Sequence, residues 1–206
     1  MLTQAERLRI AAEVGSDLPL FLVGGVVLGV GRGEQVYPLP DFPATACVVV
    51  TPEIGVSTPK AFAEWDRIQK ASSKLTISPA SDRMNQLGYG LSAWLSGLYS
   101  GAPSDFVRRR GRAGNPLLAL VRAGIENDFE QVVFPEYPEL GEAKRVLVRA
   151  GAKYASLSGS GSTLYGLFAS KLAATSAVTR LRKAGWAAQA TVTLSRAAYW
   201  RRMFGG

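Results

Sequence analysis

The chain has 206 residues, of which 47% are hydrophobic and 19% are charged, and it carries a net charge of +8. These values are typical of a globular protein that is large enough to bury a core, and no apolar run approaches the ~20 residues needed to cross a bilayer. The sequence has no histidine. Catalysis by Ser-His or Cys-His pairs is therefore excluded within this chain, and proton transfer would fall to Asp, Glu, Lys, Tyr or water.

The single cysteine and the positive charge indicate a setting and a class of partner. Cys47 lies in the apolar run Ala-Cys-Val-Val-Val, so we expect a buried thiol, no internal disulfide and a reducing, cytoplasmic environment. The charge favours an anionic partner such as a nucleotide, a diphosphate or a nucleic acid.

The densest basic cluster lies among glycines and prolines and consists of Arg108, Arg109, Arg110 and Arg112. A solvated loop accounts for this cluster, and a nucleic-acid patch is the alternative, although the only aromatic residue close by is Phe106. We expect neither nucleic acid nor a membrane as the partner.

The N-terminal segment predicts a capped helix followed by a turn. Thr3 and Glu6 have the spacing of a capping box, and Gly15 supplies the helix stop. Residues 15–19 predict a turn in which Pro19 keeps Leu18 out of helical geometry.

An apolar run and a short strand follow this turn. Residues 20–30 predict buried extended structure with glycine kinks, residues 31–34 a turn and residues 35–39 a strand. Residues 38–43 are typical of a linker, so we predict a domain boundary that separates residues 1–40 from residues 41–206.

The second part of the chain predicts an α+β sandwich with helices on one face of a sheet. Ser57 or Thr58 begins a helix that has Pro59 in its first turn, and Ser170 caps another. The predicted strands are 45–51, 154–157, 163–168 and 187–194, and the predicted helices are 58–70, much of 81–133, 138–150 and 171–184.

A glycine-rich stretch at residues 156–168 is the most informative part of the sequence. Gly159 and Gly161 alternate with Ser158, Ser160 and Ser162, and a β-prone run follows. Glycine lets the backbone turn tightly and approach a ligand, and successive N–H groups in such a turn can bind an anion. A phosphate-facing loop and an ordinary glycine-rich hairpin both remain open from these residues.

Asp17 is the candidate catalytic residue. It lies in the turn between the first helix and the apolar run, beside Ser16 and Pro19. A carboxylate held in this way can accept the proton of an attacking hydroxyl in phosphoryl transfer. An Asp that merely stabilises the turn is the alternative.

Several motifs together resemble the 4-diphosphocytidyl-2-C-methyl-D-erythritol kinase family of the GHMP kinase superfamily. They follow in the family's order from about Leu2 to Leu194, and each alone is weak. The motifs are Gly15 to Leu22, Gly24-Gly25, Gly31 to Glu34, Gly55 to Thr58, Asn115 to Leu117, Asn127 to Glu130 and Ser158 to Thr163.

The resemblance implies an α+β, GHMP-kinase-like fold and an ATP-dependent kinase. It implies that ATP, with Mg²⁺, phosphorylates the 2-hydroxyl of the cytidyl-diphosphate substrate in the non-mevalonate isoprenoid pathway. By the same resemblance Asp17 takes the hydroxyl proton, and Ser57 and Thr58 lie beside the substrate. The cofactor-binding residues that it implies are Ser158, Gly159, Ser160, Gly161 and Ser162.

The sequence also departs from the family's pattern. The family's first motif, with a catalytic Lys and a Tyr-His pair, and its second, a Gly-rich ATP-phosphate loop, have no match here. We therefore expect the remnant of an N-terminal ATP-binding domain plus a complete C-terminal domain, with negligible kinase activity in isolation. A sister GHMP kinase acting on homoserine or mevalonate, and a non-catalytic anion-binding protein, are the alternatives.

Overall fold

The computed structural model describes residues 2–72 and 126–205, and between them residues 88, 89, 91, 92, 95 and 96. The chain divides into two compact units, one formed by residues 1–44 and 193–206 and the other by residues 45–192. The basic cluster at 108–112 and most of the helical region predicted at 81–133 lie outside the described residues. The assignment of residues 1–40 and 41–206 to two family domains stays a prediction.

The first unit joins an N-terminal helical segment and a hairpin to the C-terminal helix. Its elements are helix α1 (Gln4–Val14), helix α2 (Leu18–Val23), strands β1 (Val27–Val30) and β2 (Gln35–Pro38), and a C-terminal helix (Arg196–Phe204). The two strands pair antiparallel, from Val27 opposite Pro38 to Val30 opposite Gln35.

The capping box predicted for α1 is confirmed. The backbone N–H of Glu6 donates to the Thr3 hydroxyl at 3.3 Å, and the Thr3 N–H donates to the Glu6 carboxylate at 2.7 Å. Because these donors lie in the first turn, they have no partner along the helix, and the two side chains replace it. The helix ends at Gly15, as predicted.

The extended structure predicted for residues 20–30 is wrong over its first half. Residues 18–23 form α2, with Pro19 in its first turn. Proline fits there because its ring fixes a helical φ and its missing N–H would have no intrahelical partner. The helix ends at Gly24, which has a φ of 66°. Only Val27–Val30 is extended, and three of its four residues are exposed.

The C-terminal helix holds the segment that follows α2 through Arg196. The Arg196 guanidinium donates to the carbonyl oxygens of Gly24 at 3.1 Å, Val26 at 2.8 Å and Leu39 at 3.3 Å. Asp41 accepts from the backbone N–H of both Arg196 and Val26. This side chain thus joins the C-terminal helix to two other backbone segments of the unit, residues 24–26 and residue 39.

Two aromatic residues of the same helix bind α2 itself. The Tyr199 hydroxyl donates to the Phe21 carbonyl oxygen at 2.8 Å, and the Trp200 indole donates to that of Val23 at 3.0 Å. The ring of Tyr199 lies so close to Gly24 that a Cβ there would come within 2.3 Å of it. Position 24 therefore requires glycine for two reasons, its positive φ and the close approach of the Tyr199 ring.

The second unit contains a four-stranded antiparallel sheet. Its elements in chain order are β3 (Ala46–Val50), α3 (Thr58–Ser72), α4 (Glu130–Glu136), α5 (Pro138–Arg149), β4 (Tyr154–Leu157), β5 (Leu164–Phe168), α6 (Lys171–Lys183) and β6 (Ala188–Val192). The strand order is β4-β5-β3-β6. The C-terminal helix of the first unit is α7 in this numbering. The four strands predicted here, and the helices predicted at 58–70, 138–150 and 171–184, are confirmed within a few residues at each end.

Helices α5 and α6 cover one face of this sheet. Helix α5 packs on β4 and β5, α6 packs on β3, β5 and β6, and the two helices contact each other. The core between them includes the fully buried side chains Val48, Val50, Leu140, Leu147, Leu164, Phe168 and Leu181. The predicted sandwich with helices on one sheet face is therefore confirmed.

The opposite face of the sheet carries the alternate residues of the same strands. In the register of β3, β4 and β5, Cys47 lies opposite Leu167, and Tyr165 lies opposite Val49 and Ser156. The prediction that Cys47 is buried is confirmed, since 6% of it is exposed. Part of the candidate site described next is built on this face.

Candidate functional site

The glycine-rich loop joins β4 to β5, two neighbouring antiparallel strands. The Ser158 N–H donates to the Thr163 carbonyl oxygen at 2.8 Å, and the Gly161 N–H donates to the Ser158 carbonyl oxygen at 3.0 Å. Gly159 and Gly161 have φ values of 57° and 94°. Side-chain-bearing residues rarely adopt this left-handed conformation, so the loop depends on glycine at both positions.

Three backbone donors of this loop are left without a protein acceptor. Within the ranges that the structure describes, the N–H groups of Gly159, Ser160 and Ser162 make no hydrogen bond. Backbone donors that converge in a turn of left-handed residues suit an anion. The hairpin and the phosphate-facing loop, which the sequence left as alternatives, are therefore compatible. The segment connects two strands of a hairpin and also presents free N–H donors.

The start of α3 lies against the loop. The hydroxyl oxygens of Thr58 and Ser160 are 2.8 Å apart, which joins a predicted substrate-binding residue to a predicted cofactor-binding residue. The neighbouring Ser57 is half-buried, and its carbonyl oxygen accepts the N–H of Ala61 in the first helical turn. The positive end of the α3 dipole thus lies next to the loop, which adds to its preference for negative charge.

Asn127 binds the loop from its other side. Its side-chain amide donates to the carbonyl oxygens of Leu157 at 2.9 Å and Gly159 at 2.7 Å. Its side-chain oxygen accepts the N–H of Phe129 at 3.0 Å. The amide is therefore fixed in orientation by three partners, of which two belong to the loop or its base.

Glu130, three residues after Asn127, binds the end of β4. Its carboxylate accepts the N–H of Leu157 at 2.9 Å and the hydroxyl of Ser156 at 3.1 Å. The other carboxylate oxygen pairs with Lys144 of α5. Because the Glu130 side chain is only 15% exposed, the pair and its two further donors compensate for the burial of a charge.

A cavity of about 570 Å³ opens beside the loop, on the side of the sheet opposite α5 and α6. Its aromatic lining includes Phe62, Trp65, Phe129, Tyr154 and Tyr165, and Asp128 and Ser158 are among its polar residues. The rings of Phe62 and Phe129 meet edge to face at 4.8 Å. Burial raises the pKa of Tyr165, and the neighbouring Tyr154 adds to the shift, so this phenol ionises at a higher pH than an exposed tyrosine.

Asp17 lies in the first unit, whereas the other predicted site residues lie in the second. It occupies the turn before α2 as the N-cap residue, with an exposed side chain that makes no capping hydrogen bond. The predicted turn is confirmed for residues 15–17, whereas the prediction that Pro19 keeps Leu18 out of helical geometry is wrong, because both residues belong to α2. The exposed carboxylate of Asp17 makes no ion pair with any residue that the structure describes, in contrast to Asp41, whose two oxygens are both used inside the unit.

The roles of Asn127 and Glu130 are not predictable from the sequence. The segment Asn127 to Glu130 contributes to the family resemblance, but no local pattern identifies partners about 30 residues away. An asparagine and a glutamate that flank an aromatic residue just before a helix are the only signal that the sequence offers.

Two further properties concern metals and membranes. Among the described residues, no group of three or more His, Cys, Asp or Glu side chains is placed to hold a metal ion. None of the helices in the described part of the chain combines the length and the apolar composition that a membrane span requires.

Comparisons with known proteins place this arrangement in a family. Residues 112–186 match the family model for the GHMP kinases C terminal. A 4-diphosphocytidyl-2-C-methyl-D-erythritol kinase from Solibacter usitatus is 39% identical over 159 residues, which are 77% of this chain and 42% of that protein. The Synechococcus elongatus protein of the same name is 36% identical over 186 residues, covering 89% and 54%.

Solved structures share the fold. A crystal structure of 4-(cytidine 5'-diphospho)-2C-methyl-D-erythritol kinase matches with a TM-score of 0.58 at 24% identity, over 92% of this chain and 57% of that one. A homoserine kinase from Cytophaga hutchinsonii matches with the same TM-score of 0.58 at 19% identity, over 94% and 58%.

Over residues 112–186 the chain carries the C-terminal domain of the GHMP kinases. Within that family, the curated proteins that it resembles are 4-diphosphocytidyl-2-C-methyl-D-erythritol kinases, as the sequence motifs indicate. The chain spans about half the length of these curated relatives.

Proposed function

We propose that this chain forms part of a kinase that transfers the γ-phosphoryl group of ATP to the 2-hydroxyl of 4-diphosphocytidyl-2-C-methyl-D-erythritol, in the non-mevalonate isoprenoid pathway. The observation that carries the proposal is the loop at 158–162, whose free N–H groups lie beside the start of α3. The names of the curated relatives supply the substrate. We propose the cytoplasm as its location, since the one thiol is buried and free.

Each of the proposed residues has its own role in the reaction. The 2-hydroxyl oxygen attacks the γ-phosphorus, its proton passes to the Asp17 carboxylate, and ADP leaves. The loop donors stabilise phosphate oxygens, which is the main form of catalysis in phosphoryl transfer. Ser57 and Thr58 lie where a substrate bound against the loop would meet the start of α3.

Magnesium enters this proposal with the nucleotide. Protein sites for Mg²⁺ commonly use one or two carboxylates together with substrate phosphates, so a dedicated cluster of acidic residues is not required. The serine hydroxyls and N–H groups of the loop fit the phosphates, and Asp17 is the carboxylate that we propose nearest the transferred group.

The test is phosphoryl transfer with Asp17→Asn. Because the chain spans about half of its relatives' length, the assay uses a chimera in which it replaces the segment that it matches in the Solibacter usitatus kinase. Loss of the base should lower kcat about 10²- to 10⁴-fold while substrate affinity changes little. Asp66→Asn, an exposed aspartate of α3, is the matched control and should retain activity. Equal activity of both variants would contradict the role of Asp17.

A second candidate is a GHMP kinase for another small alcohol. The fold itself favours neither, because the homoserine kinase structure matches with the same TM-score as the cytidyl enzyme. Binding of cytidine diphosphate, compared with homoserine and mevalonate, separates the two candidates, since only the first substrate carries a nucleoside diphosphate.

A further inference from the structure

We infer that Asn127 is a positioning residue that sets the direction of the loop's Ser160 N–H group for anion binding. The identity of the anion rests on the function proposed above, whereas the orientation of the loop does not.

Strand β4 lies at the edge of the sheet among the strands that the structure describes, and it pairs with β5. The N–H of its last residue, Leu157, donates to Glu130, and the carbonyl oxygen of Leu157 accepts from Asn127. Side chains of one short segment therefore replace a neighbouring strand at the point where the loop begins.

Asn127 also holds the peptide plane between Gly159 and Ser160. The carbonyl oxygen of Gly159 accepts from Asn127 at 2.7 Å. In a trans peptide the C=O of one residue and the N–H of the next point in opposite directions. Holding the Gly159 oxygen against Asn127 therefore directs the Ser160 N–H away from Asn127, where it has no protein acceptor within the described ranges.

A contact with Thr58 holds the Ser160 side of this peptide plane. The hydroxyl of Ser160 pairs with Thr58, so its side chain is fixed while its N–H stays free. Gly159, with a φ of 57°, would sample many conformations without such contacts. A preorganised donor binds an anion better than one that must first be ordered, because the ordering cost is absent at binding.

Both N–H donors of Asn127 are used by carbonyl oxygens, and its oxygen is used by Phe129. A carboxylate of the same shape has no proton to donate and would face those two carbonyl oxygens with negative charge. The substitution Asn127→Asp therefore breaks the contact without changing its size.

The experiment compares Asn127→Asp with Gln189→Glu. Gln189 is exposed on β6, so its substitution makes the same change of charge away from the loop. In Asn127→Asp we expect the N–H groups of Ser158 and Gly161 to exchange with solvent about tenfold faster, since their turn bonds depend on the held loop. The Leu157 N–H, which Glu130 holds, should keep its protection and serves as the internal reference.

A second readout separates positioning from a merely structural role. In the chimera with the Solibacter usitatus kinase, Asn127→Asp should raise the KM for ATP about tenfold and leave kcat within about threefold, because one preorganised donor is lost. In the isolated chain, acidification should partly restore the exchange protection factors of the Ser158 and Gly161 N–H groups in Asn127→Asp, since a protonated carboxyl group can donate one hydrogen bond. Gln189→Glu should show none of these effects.

The outcomes distinguish the inference from the proposed function. Unchanged exchange at Ser158 and Gly161 together with an unchanged KM would overturn the inference. If the Asn127→Asp chain does not fold, Asn127→Ser keeps the test open, because its hydroxyl can donate to one carbonyl oxygen and should give an intermediate effect. If no protein transfers phosphate but the loop amides still respond, the proposed function fails and the positioning role stands.

Discussion

At the scale of single residues, the site depends on groups whose surroundings fix one state. Asn127 has all three of its partners, and burial raises the pKa of Tyr165. Asp17 differs from both because it is exposed and makes no capping bond. A carboxylate that must exchange a proton with a substrate has to be accessible and free of other hydrogen bonds. A side chain that orients the backbone has to be fixed by its hydrogen bonds.

Cys47 gives a prediction about pH at this scale. Burial raises the pKa of its thiol from 9.0 to about 11. A pKa that is higher in the folded state stabilises the fold below pH 9, and this contribution is lost as the pH rises towards 11. We expect the free energy of unfolding to fall more steeply over this range in the native chain than in Cys47→Ser, which has no thiol to ionise.

The measurement is denaturant unfolding between pH 8 and 11, combined with modification of the thiol by a disulfide reagent at pH 8. The native thiol should react far more slowly than the thiol in denaturant, since the reagent needs an exposed thiolate. Rapid modification of the folded chain at pH 8 would show that Cys47 is accessible.

At the scale of elements, helix ends were predictable where the capping residues are local, and contacts between distant segments were not. Thr3 and Glu6 mark the start of α1, and Ser170 marks the start of α6, because each cap acts within three residues. Pro19 was misinterpreted because the same residue can end one helix or begin the next. The sequence near Leu157 does not indicate that its carbonyl oxygen and N–H group bind Asn127 and Glu130, which lie 30 and 27 residues earlier.

The hydrogen bonds from Arg196 of α7 to the segment after α2 allow a prediction about stability. Arg196→Ala removes hydrogen bonds from a guanidinium to three carbonyl oxygens, and we expect a loss of about 2–4 kcal/mol of stability in the first unit. Arg196→Lys should recover only part of it, because a single ammonium cannot reach all three oxygens as the planar fork does.

Amide exchange of the Gly24 N–H, which closes α2 by donating to the Leu20 carbonyl oxygen, reports this loss directly. Arg202→Ala, on the exposed surface of the same helix, is the control and should leave the exchange rate unchanged. The account of α7 would be contradicted if both substitutions had the same small effect.

At the scale of the whole molecule, the sandwich of the second unit could be predicted from alternating strands and capped helices, and the family from seven short motifs in order. The division into units was less visible in the sequence. Residues 193–206 join the N-terminal segment, and no pattern in those residues indicates a partner about 170 positions earlier. The tie is made by single residues, Arg196, Tyr199 and Trp200, whose acceptors are backbone oxygens that carry no sequence signal.

We propose that this chain is part of a kinase whose acceptor is a cytidyl-diphosphate alcohol. The most direct measurement is ³¹P NMR of the chimera with ATP and an equal mixture of 4-diphosphocytidyl-2-C-methyl-D-erythritol, homoserine and mevalonate. We predict a new phosphomonoester signal on the cytidyl compound, together with ADP, and no phosphorylation of the other two alcohols. Phosphorylation of homoserine or mevalonate in preference to the cytidyl compound would contradict the claim.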